Sequence, residues 1–368
     1  MYIKEIKLNN FRNYKEERIS FNMNSNIIKG ENGQGKTNLL ESIYILSIGK
    51  SFRTLKEEEL IKFGEKGFSI KGLFMKDDED LSVEIRQKGK EKSIIVDGVK
   101  KKKNADLLEN VYAVVFSPDD IKIVNDQPDV RRKFMDRELF MLKPLYYIEL
   151  NKYIKTMKCK KELLKQEKIN DELLDIYDEL LAEYGSKVMK YRASFTKMLD
   201  EESRKIEYMI TDGEEELKVY YDSNIKSIED IKEQKIEFLK ALKVNREKEK
   251  ANRIIYVGPH RDDLKITSNG VDLRKFGSRG QHRTAALSIK LAELEMIKKE
   301  TGEDAILLLD DVLSELDEKR QRKIINSFEK NQLFITAADF NEEYLKKFSS
   351  GASFLVEEGS VKEEKINI

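Results

Sequence analysis

Gly30-Glu31-Asn32-Gly33-Gln34-Gly35-Lys36-Thr37 reads G-x-x-x-x-G-K-T, the spacing of a P-loop. Its glycines let backbone N–H groups turn onto phosphate oxygens at a helix N-terminus. Lys36 is then expected at the β- and γ-phosphates, and the Thr37 hydroxyl on Mg²⁺. The motif needs a strand before it and a helix after it. Residues 25–29 read as the strand, and 36–48 as the helix. Ile306-Leu307-Leu308-Leu309-Asp310-Asp311 supplies the complement, an apolar strand ending in two carboxylates. One of these is expected to anchor Mg²⁺ and the other to position an attacking water. Nearly three quarters of the chain separates Lys36 from Asp310. A single strand–helix repeat needs far less, so the nucleotide domain is expected to be split by an insertion.

The flanking pattern locates that insertion. Short strands are predicted at 2–8 and 18–21, and an antiparallel meander at 68–75, 81–87 and 93–96. A strand at 111–116 stops at Ser117-Pro118, because proline cannot donate to a ladder. Prolines stand only at 118, 128, 144 and 259. Within the proline-free stretch between the last two, Leu173, Tyr177, Leu180, Tyr184, Val188, Tyr191, Phe195 and Met198 recur at about the 3.6-residue helical period. A helix over 144–165 precedes this one, and a charged helix over 228–250 follows it. The helices either pack as a second lobe or form a projecting hairpin. The expected domains are a discontinuous α/β head at 1–140 and 251–368, and a mainly helical lobe at 141–250. Further elements are predicted as a helix at 283–301, a helix at 318–330, a strand at 332–335, a short helix at 342–348 and a terminal strand pair.

Lysine plus arginine and aspartate plus glutamate number 69 each among 368 residues, so no global field draws the chain to nucleic acid. Any such surface must be local. One cysteine, Cys159, excludes an internal disulfide framework and fits a reducing compartment. No run approaches the ~18 apolar residues of a membrane span, and residues 1–8 alternate as a strand rather than a signal-peptide core. A cytoplasmic protein is the expectation.

Ser278-Arg279-Gly280-Gln281 stands at the start of a predicted helix and offers a second anion cradle, which suits a second molecule. The order P-loop, Ser-Arg-Gly-Gln, Asp310-Asp311, Ser314-Glu315-Leu316-Asp317 resembles an ABC-type ATPase head. In that architecture ATP is held between one subunit's P-loop and its partner's signature motif, and the last segment resembles the D-loop at the dimer interface. Over essentially its full length the chain resembles the RecF family of bacterial recombination and replication-repair proteins. The segments carrying this are Leu8-Asn9-Asn10-Phe11-Arg12-Asn13-Tyr14, Gly49-Lys50-Ser51-Phe52-Arg53-Thr54, Arg131-Arg132-Lys133-Phe134-Met135-Asp136 and the segment Gly258-Pro259-His260-Arg261-Asp262-Asp263-Leu264.

The resemblance implies an ABC-type head with a mixed sheet and a meander, ATP-dependent homodimerisation, DNA binding and weak ATP hydrolysis. It also implies work with RecR and RecO in loading RecA at gaps. It assigns catalytic roles to Lys36, Asp310, Asp311 and Ser278, and metal binding to Thr37 and Asp310. Nucleotide contacts fall to Gly30, Glu31, Asn32, Gly33, Gln34, Gly35, Lys36, Thr37, Asn38 and Arg12, with Ser278, Gly280 and Gln281 facing the partner's ATP. Lys50, Arg53, Lys56, Lys62 and Lys66 are expected either to meet DNA or to be ordinary charged surface. Lys100–Lys103 reads first as a solvated loop. Arg131 and Arg132 suit DNA, phosphate or an internal salt bridge alike. His260 and His282 are expected to be hydrogen-bonded structural residues.

The chain departs from the related patterns at four places. Asp126-Gln127-Pro128 stands where a glycine-small-proline turn is usual. Ser117-Pro118-Asp119-Asp120 lacks the glutamine of transport-type ATPases, and Thr336-Ala337-Ala338-Asp339 lacks their switch histidine. Asp311 replaces a glutamate. The missing glutamine and histidine argue against a transporter subunit. A Rad50-like structural ATPase would need a far longer coiled coil and a Cys-x-x-Cys hook.

Overall fold

In a computed structural model the chain is described at residues 1–368 except 103, 109, 314–315, 338–350 and 365–368. The short helix expected at 342–348 and the residues Ser314, Glu315, Ala338 and Asp339 lie outside the described residues. β1 (Tyr2–Phe11), β2 (Tyr14–Ser20) and β3 (Ser25–Lys29) lead into α1 (Lys36–Ile48). β4 (Gly67–Lys76), β5 (Glu79–Lys88), β6 (Glu91–Val96), β7 (Val99–Lys101) and β8 (Ala113–Phe116) follow. Then come α2 (Lys122–Asn125), α3 (Pro128–Leu142), α4 (Pro144–Leu164), α5 (Asp171–Thr211), β9 (Leu217–Asp222) and α6 (Ile231–Asn252). β10 (Asp263–Ser268), β11 (Val271–Asp272), α7 (Leu273–Phe276) and α8 (Arg279–Thr301) precede β12 (Ile306–Asp310). α9 (Glu318–Ser327), β13 (Leu333–Ala337), β14 (Gly351–Glu357) and β15 (Ser360–Glu364) complete the order.

Two compact units emerge, the first comprising Met1–Asp120, Met209–Asp212 and Lys290–Ile368, the second Ile121–Tyr208 and Gly213–Ile289. The first holds two six-stranded sheets, β2-β1-β4-β5-β6-β7 and β15-β14-β3-β13-β12-β8. The meander is antiparallel throughout. Asp77 and Asp78 both take left-handed φ, 51° and 60°, which gives the β4–β5 hairpin a two-residue turn whose twist matches its strands. In the second sheet β14, β3, β13, β12 and β8 run parallel and only β15 is antiparallel. Parallel strands are covered on both faces, which is why Ile306–Leu309 is apolar without alternation and fully buried. α1 touches β4 and β5 of one sheet and β8, β12 and β13 of the other. It is accordingly buried nearly all round and shows no polar face.

The second unit is helical with a small antiparallel sheet, β11-β10-β9. Its boundaries differ from the domain cuts expected at 140 and 251. Residues 121–140 and 251–289 group with the helices because buried ion pairs tie them there. Arg131 grips Asp263 with two bonds of 2.6 and 2.8 Å, and Arg192 of α5 reaches Asp136 at 2.7 Å and the Pro259 carbonyl at 2.6 Å. The buried seam of α5 is also rotated from the expected stripe. Val188 and Phe195 are buried, but Leu173, Tyr177, Leu180, Tyr184, Tyr191 and Met198 only flank the seam, whose centre includes Leu174, Asp178, Leu181 and Arg192. Asp178 is admitted because two cations pair with it, Lys160 of α4, which lies 2.6 Å from both Asp178 and Glu249 of α6, and Arg246 of α6 at 2.7 Å. A buried charge left unpaired would cost several kcal/mol, roughly 3–5, so the triad holds the three helices in one register.

Candidate functional site

Parallel order brings the two motifs together. β13 lies between β3 and β12, with Thr336 in register with Ile28 on one side and Asp310 on the other. The P-loop and the acidic pair therefore leave the same edge of the sheet, at the carboxyl ends of its strands, where open α/β sheets bind ligands. Thr37 Oγ1 donates to Asp310 Oδ1 at 2.8 Å. Thr336 Oγ1 donates to the same oxygen at 2.8 Å and accepts the Asp311 amide at 2.9 Å. One threonine hydroxyl thus holds both acidic residues, and Asp311 takes a left-handed φ of 56° as the chain leaves the strand. Burial raises the Asp310 pKa above the ordinary carboxylate value. The hydroxyls of Thr37 and Thr336 and the charge of Arg53 work in the opposite direction.

The loop itself needs its glycines. Gly30 has φ 143°, and a Cβ there would stand 2.3 Å from the Val356 carbonyl of β14. Gly35 has φ 124°, and its Cβ would meet the Asn13 side chain at 2.6 Å. Lys36 is buried and its ammonium donates to the carbonyls of Gly30 and Glu31, so the cation sits within the loop. Three neighbours brace the loop from outside. Asn13 Nδ2 donates to the Gln34 carbonyl at 2.6 Å, the Tyr14 hydroxyl donates to the Gly35 carbonyl at 2.9 Å, and Gln34 Oε1 accepts the Glu358 amide at 2.6 Å.

Other expected nucleotide contacts are engaged inside the protein. Arg12 forms a two-pronged pair with buried Glu41, at 2.8 and 2.7 Å, and donates to the Glu59 carbonyl. Asn38 donates to Asn13 Oδ1 and accepts from Arg53, each within 2.8 Å. Glu31, Asn32 and Gly33 form the exposed outer curve of the loop.

The oxygen donors suit Mg²⁺. A hydroxyl and a carboxylate oxygen lie side by side at Thr37 and Asp310, the hard donor chemistry this ion takes. No cluster of three or more His, Cys, Asp or Glu able to hold a metal occurs among the described residues. An ion here would draw its remaining ligands from phosphate and water, as Mg²⁺ characteristically does.

Ser278, Gly280 and Gln281 belong to the second unit. Ser278 N donates to Gln281 Oε1 at 3.0 Å while Gln281 N donates to Ser278 Oγ at 3.2 Å, a reciprocal capping box that starts α8. The serine hydroxyl is therefore oriented by its own helix. A Cβ on Gly280 would meet nothing nearer than Ser278 Oγ at 3.9 Å, so nothing in this unit requires glycine there.

The basic residues divide. Lys62 donates to the Asn13 carbonyl and Arg53 to Asn38, while Lys56, 3.7 Å from Glu59, is exposed, as are Arg53, Lys50 and Lys66. Arg131 and Arg132 serve internal contacts, the latter to the Asp262 carbonyl at 2.8 Å. Asp120 caps its own loop by accepting from the Ser117 amide and hydroxyl. His260 bonds Tyr153 and the Ile255 carbonyl, and His282 bonds the Leu273 carbonyl. Asn13, Tyr14, Glu41, Glu358 and Thr336 were not expected from the sequence as supports of the site, because none carries a spacing that marks its role.

The RecF/RecN/SMC N terminal domain model matches residues 2–359. The DNA replication and repair protein RecF of Clostridioides difficile (strain 630) is 39% identical over 363 residues, covering 98% of each chain. That of Clostridium acetobutylicum is 43% identical over 350 residues, covering 94% of this chain and 96% of the relative. A solved structure described as the recombination mediator protein RecF-ATP in the RecFOR pathway superposes with a TM-score of 0.90 at 37% identity, covering 99% of this chain and 98% of that one. An Smc head domain derived from Pyrococcus furiosus shares the fold, with a TM-score of 0.57 at 15% identity, covering 99% of this chain and 96% of that one. With fold, motifs and relatives in agreement over nearly the whole chain, the protein belongs to the RecF family of DNA replication and repair proteins, within the wider RecF/RecN/SMC group of ABC-type ATPase heads.

Proposed function

We propose that the protein is an ATP-dependent DNA-binding factor of recombinational repair, cytoplasmic, whose two copies close on DNA with ATP between them. The observation that carries the ATP reading is the Thr37–Asp310–Thr336 arrangement beside the P-loop. Lys36 would stabilise the charge of the β- and γ-phosphates, and the amides after Gly33 would cradle them. Thr37 and Asp310 would hold Mg²⁺, which when bound supplies charge neutralisation at the phosphates. Asp311 would orient a water toward the γ-phosphate. It is one methylene shorter than glutamate, which fits slow turnover and a switch-like use of ATP.

Gly280 supports the dimer. A glycine that its own unit does not require, beside an exposed serine at a helix start, suits the close approach of a phosphate held by another copy. ATP that binds the closed pair more tightly than the separate copies would shift the population toward closure by that difference. DNA, RecR and RecO are the proposed partners, with assistance to RecA loading at gaps as the outcome. DNA affinity and particle size measured with and without ATP test this: both should rise together with Mg²⁺-ATP. ATP binding with no change in size or DNA affinity would refute the switch.

A further inference from the structure

The tetralysine beginning at Lys100 has no part in the site described above, yet its first residue lines a cleft of about 970 Å³ on the meander sheet. Asn9, Ser69, Arg86 and Ser93 stand in register across β1, β4, β5 and β6 and line the same cleft. This row is polar, with short side chains at three of its four positions, and makes a floor. Lysines 66, 88, 90 and 100 also line the cleft; all four are exposed, and none has an ion-pair partner among the described residues. Two clusters far apart in sequence, the end of the 50–66 basic series and the start of the tetralysine, therefore converge on one surface.

The charge is not neutralised from within. Arg86 is taken by Glu84, and Lys92 by Glu57, leaving Glu65 and Glu91 against the four lysines. On the same outward face Lys7 and Lys71 stand directly opposite one another in register. Like charges so placed destabilise a sheet, and the bordering acids are Glu5, 3.6 Å from Lys7, Glu16, in register with Asn9, and Glu84, already paired to Arg86. The cleft also lacks an exposed aromatic or aliphatic anchor, the usual centre of a protein-binding hot spot, since its Phe68 is buried. We propose that this face of the meander is a track for the phosphate backbone of DNA, with Lys66, Lys88, Lys90 and Lys100 as its contacts and no base readout. The proposal rests on the DNA-binding reading above and moves the contacts away from Arg53, Lys56 and Lys62.

The test compares wild type with Lys66→Gln/Lys88→Gln/Lys100→Gln, all at exposed positions, using labelled duplex and single-stranded DNA with a non-hydrolysable ATP analogue. Each neutralised phosphate contributes to the slope of log affinity against log salt about −0.9 on duplex and about −0.7 on single strands, so three lost contacts per engaged copy should flatten it by about 2.7 and about 2.1. Between 50 and 200 mM salt the wild type should then lose, per engaged copy, about 40-fold more affinity than the variant on duplex and about 18-fold more on single strands. Nucleotide affinity should not change, and Lys56→Gln/Lys62→Gln should keep the wild-type slope. The form of DNA whose slope flattens identifies the occupant. If the wild type binds DNA and the triple variant keeps its slope on both forms, the track is overturned, the DNA reading stands, and the cleft is left to an acidic protein surface. If the wild type binds neither form under any nucleotide, the DNA reading fails and the track with it.

Discussion

Thr336→Val removes one hydroxyl while keeping a β-branched side chain that suits β13. The buried hydroxyl donates to Asp310 and accepts from the Asp311 amide. A hydrogen bond to an ionised group contributes about 1.5–3 kcal/mol, and a donor left without its acceptor costs about 1–3 kcal/mol. Both bonds pass through one atom and are not independent, so the expected loss is about 2–4 kcal/mol of stability at neutral pH. The pH dependence has a definite sign. Burial raises the folded Asp310 pKa above its unfolded value, so ionisation is disfavoured in the fold and stability falls as pH rises through the folded value. Removing the Thr336 donor raises that value further. The variant's deficit should therefore be largest at neutral pH and shrink on acidification. Mg²⁺-dependent nucleotide binding should fail at a higher pH than in wild type. Urea unfolding and nucleotide titration across pH measure both, and Thr336→Ser should restore most of each. A deficit under 0.5 kcal/mol, or one that does not shrink with acid, would show that the hydroxyl does not hold the acidic pair.

Three further outcomes are expected. Asp311→Asn should keep ATP bound and accumulate dimer, whereas Asp310→Asn should weaken Mg²⁺-ATP itself; equal loss of nucleotide binding in both would sink that division of labour. Lys36→Ala and Ser278→Arg should each be inactive alone, but an equal, freely exchanging mixture should recover roughly a quarter of wild-type hydrolysis, because half the pairs are mixed and twofold symmetry leaves each one intact site. No recovery, with normal mixed dimers in a covalently linked pair as well, would refute independent shared sites. Burial holds the His260 pKa down at about 4, below its ordinary 6.5, so the unfolded chain takes up its proton first and stability should fall as pH drops through that window. The loss should be up to about 3 kcal/mol, and His260→Gln should flatten this part of the pH profile; a parallel profile would remove the histidine from the account.

The P-loop, the acidic strand and the signature turn were legible because each is a local pattern whose spacing alone dictates a backbone shape. Positive φ at Gly30 and Gly35, the strand before them and the helix after them follow from eight consecutive residues and their neighbours. The Ser278–Gln281 capping box is equally local, since its two hydrogen bonds span three residues. Tertiary structure decided what depends on partners distant in sequence. The seam of α5 turned toward Asp178 and Arg192 because Lys160 and Arg246 neutralise the first and Asp136 the second, and a count of apolar residues is blind to buried charges that pair. Arg12 was claimed by Glu41, and Arg131 by Asp263, across 29 and 132 positions. Thr336 became the brace of the acidic pair only because strand order set β13 between β3 and β12. Hydrogen bonds and ion pairs act over a few ångströms, and only the folded chain determines which residues come that close.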